Sequence, residues 1–291
     1  PNEGDDTRHW GPPYLKNEEE KDTEESAYFL STNRGKKSIT IDICTKEGQA
    51  IVHELVANCD VIIENFKVGG LRKYHLDYDS IAIINPNIVY CSITGFGQNG
   101  PYAHRAGYDF LLQGMGGLMS VTGEQDHLPG GGPQKVGVAL TDILTGMYAA
   151  NAIQAALIER EKSGSGQCID LALLDVQVAC LANQAMNYLI GNQTPQRLGN
   201  AHPNIVPYQT FQTNDGFVIL AIGNDDQFRN FCRVAACEEL SDDERFHTNQ
   251  ARVINRKLVC EKLAKIINVK NSKFWLDSLE AAGVPCGPIN N

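Results

Sequence analysis

Positive charge is scarce in this chain. Its 291 residues carry 25 Lys and Arg against 35 Asp and Glu, a formal net charge of −10. With no basic surplus to neutralise phosphates, the composition argues against a general nucleic-acid binder, while leaving room for one locally basic pocket for an anionic ligand. Paired cysteines are also missing. The nine present (Cys44, Cys59, Cys91, Cys168, Cys180, Cys232, Cys237, Cys260 and Cys286) are odd in number, scattered and never in a C-x-x-C pair. They read as reduced, buried thiols of an intracellular protein, not as a disulfide framework or a zinc site, and no metal is expected. No apolar run is long enough to cross a membrane. The best stretches, 139–157 and 171–190, are broken by Asp142, Asn151, Gln154, Asp175, Gln177 and Asn183 and read as core helices. The G-x-x-x-x-G-K-[ST], G-x-S-x-G and H-E-x-x-H motifs are absent, which removes the P-loop, the serine-hydrolase elbow and the zincin site. Gly114-Met-Gly-Gly117 holds only part of a dinucleotide fingerprint and reads as close helix packing.

What is present is an ordinary globular composition, 42% hydrophobic and 21% charged, long enough for two domains. The first 30 residues are polar, and the charge run at 16–25 predicts a solvated loop. Residues 37–43 alternate as a strand. Residues 46–57 carry helical periodicity, 60–63 form a short apolar strand, 77–84 a helix stopped by Asn85-Pro86, and 87–93 another strand. Alternation at this pitch means βαβ units and a parallel sheet. After a helix that opens near Asp142, 168–172 predicts a strand and the residues up to 190 a helix. Two β runs around Asn214-Asp-Gly216 signal a hairpin. Charged amphipathic helices follow at 226–236 and 255–267. These patterns divide the chain into a large domain at 1–204 and a small α+β domain at 205–291.

In open parallel sheets, ligands bind beyond the carboxyl ends of the strands. Glu64-Asn-Phe-Lys-Val-Gly-Gly70 and Thr94-Gly-Phe-Gly-Gln-Asn-Gly-Pro101 both follow strands directly. Each alone is a plain turn; two after neighbouring strands point to a site. The few basic residues cluster nearby, at Arg34-Gly-Lys-Lys37 and Arg72-Lys73. They suggest a positive rim for a phosphorylated ligand, against the simpler reading of surface solvation. Asp142 opens a long run of small and apolar residues. A carboxylate there is either a helix cap held by backbone amides or a nucleophile held at a helix N-terminus. His53 and His75 read as surface or packing residues, and His202 lies at the domain boundary.

The order and spacing of several segments resemble the class III CoA-transferases. The pieces are Asn33-Arg-Gly-Lys-Lys-Ser-Ile39, Val61-Ile-Ile-Glu-Asn-Phe66, Gly137-Val-Ala-Leu-Thr-Asp142, Gly164-Ser-Gly-Gln-Cys-Ile-Asp170 and Gly283-Val-Pro-Cys-Gly-Pro288. Tyr90-Cys-Ser-Ile-Thr-Gly95, Arg105-Ala-Gly-Tyr-Asp109 and Ile205-Val-Pro-Tyr-Gln209 are similar to a branch that moves CoA from succinyl-CoA to glutarate or a similar dicarboxylate. The resemblance implies an α/β fold with a Rossmann-like large domain, an interlocked homodimer and a mitochondrial location, with the cytoplasm as the alternative. It places the nucleophile on Asp142. CoA contacts fall on Ile41, Asp42 and on to Cys44, on Asn65 and Phe66, on Lys73, and on Thr94, Gly95, Phe96 and Gly97. CoA thioesters enter as substrates, with no permanently bound cofactor. For the far carboxylate of a dicarboxylic acid, Arg105 and His202 are the candidate anchors. The family's glycine-rich covering loop is not recognisable. A 2-methylacyl-CoA racemase of the same fold is the nearest rival, but its catalytic His would fall on Tyr108, a poor proton shuttle near neutral pH. A catalytically silent CoA-binding protein is the other alternative.

Overall fold

The structure, a computed structural model, describes residues 4–290. In chain order the strands are β1 (Tyr14–Lys16), β2 (Asp22–Ser26), β3 (Val61–Glu64), β4 (Val89–Thr94), β5 (Gln167–Ala172), β6 (Tyr208–Gln212), β7 (Phe217–Ala221) and β8 (Cys286–Gly287). The helices are α1 (Ala27–Thr32), α2 (Lys46–Val56), α3 (Tyr78–Ile84), α4 (Asp109–Met115), α5 (Leu118–Val121), α6 (Leu140–Ser163), α7 (Leu173–Ala179), α8 (Asn183–Gly191), α9 (Asp225–Val234), α10 (Glu239–Asp242), α11 (Asn249–Ile254), α12 (Arg256–Ile267) and α13 (Ser272–Ala281). Two compact units result. One runs to Ala106 and takes in Gly146–Ala172; the other comprises Gly107–Thr145 and the chain from Leu173.

The first unit is built on the predicted βαβ pattern. β3, β4 and β5 pair in parallel, with Val61 opposite Val89 and Val89 opposite Gln167. β4 is central, so both its faces are covered. Tyr90, with Ile88 just before the strand, packs with Val56, Leu71, Leu76 and Ile81, while Val89 and Cys91 pack with Ala149, Ile153 and Ala156 of α6. Burial on both faces explains why β4 reads as a continuous apolar run. Each large side chain so buried contributes about 1.5–3 kcal/mol. α2 begins where the Thr45 hydroxyl accepts the Gly48 amide at 3.0 Å. The Asn85 side chain donates to the carbonyls of Val56 and Cys59, both at 3.0 Å, tying the end of α3 to the end of α2.

Two sequence expectations fail in this unit. Residues 37–43 form no strand: the β3–β4–β5 sheet does not take them up, and Ile39 is exposed. Extended alternation without a partner strand has no ladder to join. The charge run at 16–25 is not a plain loop. It turns between β1 and β2, an antiparallel pair in which Lys16 faces Asp22 at 2.5 Å across the ladder.

The second unit holds a hairpin of β6 and β7, with Gln212 opposite Phe217, extended by β8. Its turn is fixed by the Asp215 carboxylate, which accepts from the Ser272 amide at 2.7 Å and the Thr213 hydroxyl at 2.9 Å. One hydrophobic cluster drawn wholly from residues 206–284 packs behind it, including Phe211, Phe228, Phe231, Phe246 and Trp275. Arg252 is fully buried in that cluster's wall. It donates to the carbonyls of Val206 (2.6 Å) and Phe246 (2.9 Å) and to the Asp225 carboxylate (2.9 Å).

Three further corrections concern helices and thiols. The helix expected to run to residue 190 is two, α7 and α8, broken at Ala182 with a φ of 47°. α6 is not buried all round. Thr141, Thr145, Ala149, Ile153 and Ala156 form one buried stripe at helical spacing, whereas Ile143, Met147, Tyr148 and Ile158 are exposed, as is Asp142. All nine cysteines are free, but only Cys91, Cys232 and Cys237 are buried; Cys44, Cys59 and Cys168 are exposed. Among the described residues no helix is long and apolar enough to cross a membrane.

Candidate functional site

In the first unit, the loops after β3 and β4 are stapled to the sheet by side chains that sequence reasoning did not single out. Glu64 ends β3. Its carboxylate accepts the Ser92 hydroxyl and, at 2.7 Å, the Phe66 amide. The Gln98 side chain donates to the Ser92 hydroxyl oxygen at 2.8 Å, and the Gln98 amide donates to the Asp170 carboxylate at 3.0 Å. Thr94 accepts the Gly97 amide at 2.9 Å. The turn needs glycine there: Gly97 has a φ of 83°, and a Cβ would lie 3.7 Å from both Ala172 and the Asp170 carboxylate. Three strand ends thus share one polar network. The only sequence hint was spacing: Glu64, Ser92 and Asp170 sit at or near the ends of consecutive parallel strands.

That network borders a cavity of about 400 Å³ lined by Glu64, Lys67, Arg72, Tyr78, Ser92 and Gln98, among others. Its charge is mixed. Arg72 lies 3.7 Å from Asp77 and 3.8 Å from Asp79, so its guanidinium is partly compensated. The local positive rim suggested by sequence is represented there by Lys67 and Arg72, interleaved with Glu64, Asp77 and Asp79. Of the predicted CoA contacts, Asn65 and Phe66 are exposed just beyond β3, and Thr94, Gly95 and Phe96 lie in the loop opened by the end of β4. Ile41 and Asp42 lead into α2. The Asp42 backbone carbonyl accepts the Thr45 hydroxyl at 2.8 Å, and its carboxylate accepts the Cys44 amide at 2.9 Å. Lys73 is brought to this segment: its ammonium lies 4.6 Å from the Tyr74 ring centroid, and the Tyr74 hydroxyl is 3.3 Å from the Cys44 sulfur. The Tyr74 contact raises the Lys73 pKa.

Arg105 is exposed, with its guanidinium 4.8 Å from the Tyr102 ring and 5.4 Å from the Phe96 ring. No carboxylate among the described residues pairs with it, so its charge is held in place by aromatic faces and left available to an anion.

In the second unit, α4 and the start of α6 create the environment of Asp142. The cap of α6 is not Asp142 itself. Asp109, the first residue of α4, accepts the Thr141 amide at 2.8 Å through one carboxylate oxygen and the Gln113 side chain at 2.7 Å through the other. Gln113 is fully buried and accepts the Val136 amide at 2.9 Å, which fixes the approach to α6. Within its own unit, no described donor reaches the Asp142 carboxylate. Its pKa is raised, first because neighbouring protein displaces water around one side of an otherwise exposed carboxyl, and second because Asp109 carries the same charge nearby. The Thr141 amide is taken by Asp109, and Asp142 is not the cap of α6. Sequence gave no sign of the true cap, which comes from a segment 32 residues earlier.

His202 is also in this unit. Its Nδ1 accepts the Asn204 amide at 3.1 Å and its ring lies 5.3 Å from that of Tyr208. Burial and the positive charge of Arg256 lower its pKa, so it is a neutral Nε2–H donor near pH 7, not a cation. Among the described residues, no group of three or more His, Cys, Asp or Glu side chains is placed to hold a metal.

Comparison with known proteins is consistent across sequence and structure. The chain matches the model of CoA-transferase family III over residues 1–291. It is 54% identical over 291 residues to the succinate–glutarate CoA-transferase of Agrobacterium fabrum, covering 100% of this chain and 72% of that protein. It is 46% identical to the succinyl-CoA:glutarate CoA-transferase of Homo sapiens, covering 100% of this chain and 64% of that protein, so it spans a little under two thirds of the human relative. A crystal structure of a CAIB/BAIF family protein from Brucella suis superposes with a TM-score of 0.82 at 54% identity, covering 100% of this chain and 75% of that one.

Proposed function

Given that the chain belongs to CoA-transferase family III, we propose that the protein moves CoA from succinyl-CoA to glutarate or a similar dicarboxylate, with Asp142 as nucleophile. The observation that carries this reading is the environment of Asp142: a carboxylate at the start of a helix, accessible, free of any amide cap in its own unit, and destabilised as an anion by burial and by Asp109. Such a group is poised to form a covalent bond rather than to hold a helix.

The chemistry balances without a redox partner. An Asp142 oxygen bonds to the acyl carbon of the donor thioester, and the C–S bond breaks with its electron pair on sulfur, giving an aspartyl anhydride and CoA thiolate. The thiolate then attacks the aspartyl carbonyl, the anhydride C–O bond breaks, and the donor acid leaves as a carboxylate. The acceptor carboxylate runs the two steps in reverse. In the loop after β4, the amides of Gly97 and Gln98 are engaged by Thr94 and Asp170. The CoA moiety is assigned to Ile41, Asp42, Asn65, Phe66, Lys73 and the 94–96 loop. Arg105, a cation with no acidic partner, is assigned to the far carboxylate; His202, neutral, supplies at most a hydrogen bond. The full assembly is proposed to be a homodimer.

The test is incubation with succinyl-CoA labelled in its CoA moiety and a panel of free dicarboxylic acids, combined with hydroxylamine trapping of the acyl-enzyme. Label should move to glutarate in the wild type, and Asp142→Ala should trap nothing. Absence of transfer to any acid sinks the activity; an adduct retained by Asp142→Ala sinks the nucleophile.

A further inference from the structure

Asp109 stands one hydrogen bond from the nucleophile's own helix turn. Its carboxylate accepts the Thr141 amide at 2.8 Å, the residue immediately before Asp142, while buried Gln113 holds its second oxygen at 2.7 Å. The Asp109 oxygen satisfies a helix N-terminus from a distant segment, but an Asn of the same side-chain length would offer the same oxygen. What Asp adds is a fixed negative charge beside another carboxylate.

We propose that Asp109 is a positioning residue whose charge drives acylation of Asp142, in addition to capping α6. The inference rests on the reading of Asp142 as the nucleophile. Its physical basis is a linkage. Protonating Asp142 and acylating Asp142 both convert a carboxylate anion into a neutral group. In acylation the negative charge leaves on the CoA sulfur. Any interaction that disfavours the anion, whether lost water or a like charge, favours both conversions. The free enzyme is thereby raised in free energy relative to the covalent intermediates, which shifts the equilibrium toward the anhydride and the aspartyl-CoA thioester.

Among the described residues of this unit, the elements packed against α4 and the first turn of α6 bring no cation to Asp142. α4 packs on α5, which has no charged residue, and on α7, whose one charged residue, Asp175, is exposed. The first turn of α6 has no other charge, and Lys135 ahead of it points its ammonium to the Val136 carbonyl at 3.4 Å. Desolvation and Asp109 are the two influences that raise Asp142.

The test compares Asp109→Asn with Gln113→Ala in the full-length enzyme. The Asn variant keeps an oxygen for the Thr141 amide and removes the charge; the Gln113 variant keeps the charge and removes its clamp. Two readouts are taken: the acid limb of the pH profile of kcat/KM, and the acyl-enzyme fraction at fixed succinyl-CoA and CoA. Asp109→Asn should move the acid limb to lower pH and reduce the acyl-enzyme equilibrium severalfold. Gln113→Ala should lower kcat without moving the limb. Should the Asn variant misfold, the wild-type acid limb measured at rising ionic strength reads the same charge, and it should move to lower pH as Asp109 is screened. An unmoved acid limb with an unchanged acyl-enzyme fraction overturns the proposal. If Asp142→Ala still forms the adduct, the nucleophile assignment falls first, and this inference with it.

Discussion

Gly48 offers a direct test of whether residues 41–44 hold CoA. It lies in the first turn of α2, buried, against the segment that leads into that helix. A Cβ at Gly48 would lie 1.9 Å from the Asp42 carbonyl oxygen and 2.7 Å from its carbon. Non-bonded carbon and oxygen settle at about 3.3 Å, so the Asp42 peptide must withdraw by more than about 1 Å in Gly48→Ala. That movement breaks the bonds the Asp42 carbonyl accepts from the Thr45 amide (3.1 Å) and hydroxyl (2.8 Å). Two lost hydrogen bonds at about 1 kcal/mol each and about 1–3 kcal/mol of overpacking are offset by about 1 kcal/mol of helix propensity gained with Ala. The net expectation is a loss of about 2–4 kcal/mol in stability, read by urea denaturation. For binding the consequence is larger. A misplacement of about 1 Å at a contacting group costs up to about 100-fold, so the Kd for CoA should rise about 10- to 100-fold in titration calorimetry. Gly146→Ala is the control, because its new Cβ meets nothing within 4 Å and its φ is ordinary. A Gly48→Ala protein that loses stability yet binds CoA with unchanged Kd would refute the assignment of Ile41 and Asp42. Unchanged stability would refute the packing argument itself.

Four other outcomes follow from the geometry. Asp142 has a raised pKa in the fold, so the native state holds its proton more tightly than the unfolded chain; stability contributed by that group therefore falls as pH rises through the carboxylate range. Asp142→Asn should accordingly be more stable than wild type at pH 7, with the gain vanishing at pH 3, in parallel urea titrations. Arg252→Ala removes a fully buried guanidinium from two carbonyls and Asp225, and should cost about 3–5 kcal/mol in the same assay. His202 should titrate below its ordinary pKa of 6.5 and show the Nε2-protonated tautomer by nitrogen-15 NMR, and Arg256→Gln should move the titration upward. Thiol labelling at pH 8 should mark exposed Cys44 and Cys59 first. Cys91, buried with its pKa pushed up to about 11, should react only on unfolding, since about 0.1% of it is thiolate at that pH.

The parts of this fold that could be read from sequence are those where local pattern and tertiary context agree. The β3–α2–α3–β4 region is an example: apolar runs bounded by Asn85-Pro86 and by capped helix starts gave strands and helices within a residue or two of their observed ends. The Asn214–Gly216 hairpin is another. Where context decides, the pattern misled. Residues 37–43 alternate like a strand, but pairing is a property of a neighbour that no local window contains. The charges at 16–25 read as solvated loop because the cross-strand pairing of Lys16 with Asp22 is invisible until the turn is known. The break at Ala182 has no Gly or Pro to announce it. At the candidate site, residue type and family resemblance identified Asp142, but not its cap. Asp109 and Gln113 act through hydrogen bonds across 32 and 23 residues of chain, and the Glu64–Ser92–Gln98–Asp170 network joins elements up to 72 residues apart. Such partners become visible only when strand ends are brought side by side.

That network has a consequence in time rather than in space. Surface loops usually exchange their amide protons within seconds to minutes, because nothing but water competes for them. The amides of Phe66, Gly97 and Gln98 belong to loops by position, yet each is bonded to a side chain anchored on β3, β4 or β5. Their protons leave only after a hydrogen bond to a strand-anchored side chain has opened. In deuterium these three positions should therefore keep the clock of the strands and not of the loops they sit in, and a ligand arriving at the 94–97 turn meets a surface whose shape is already set before contact.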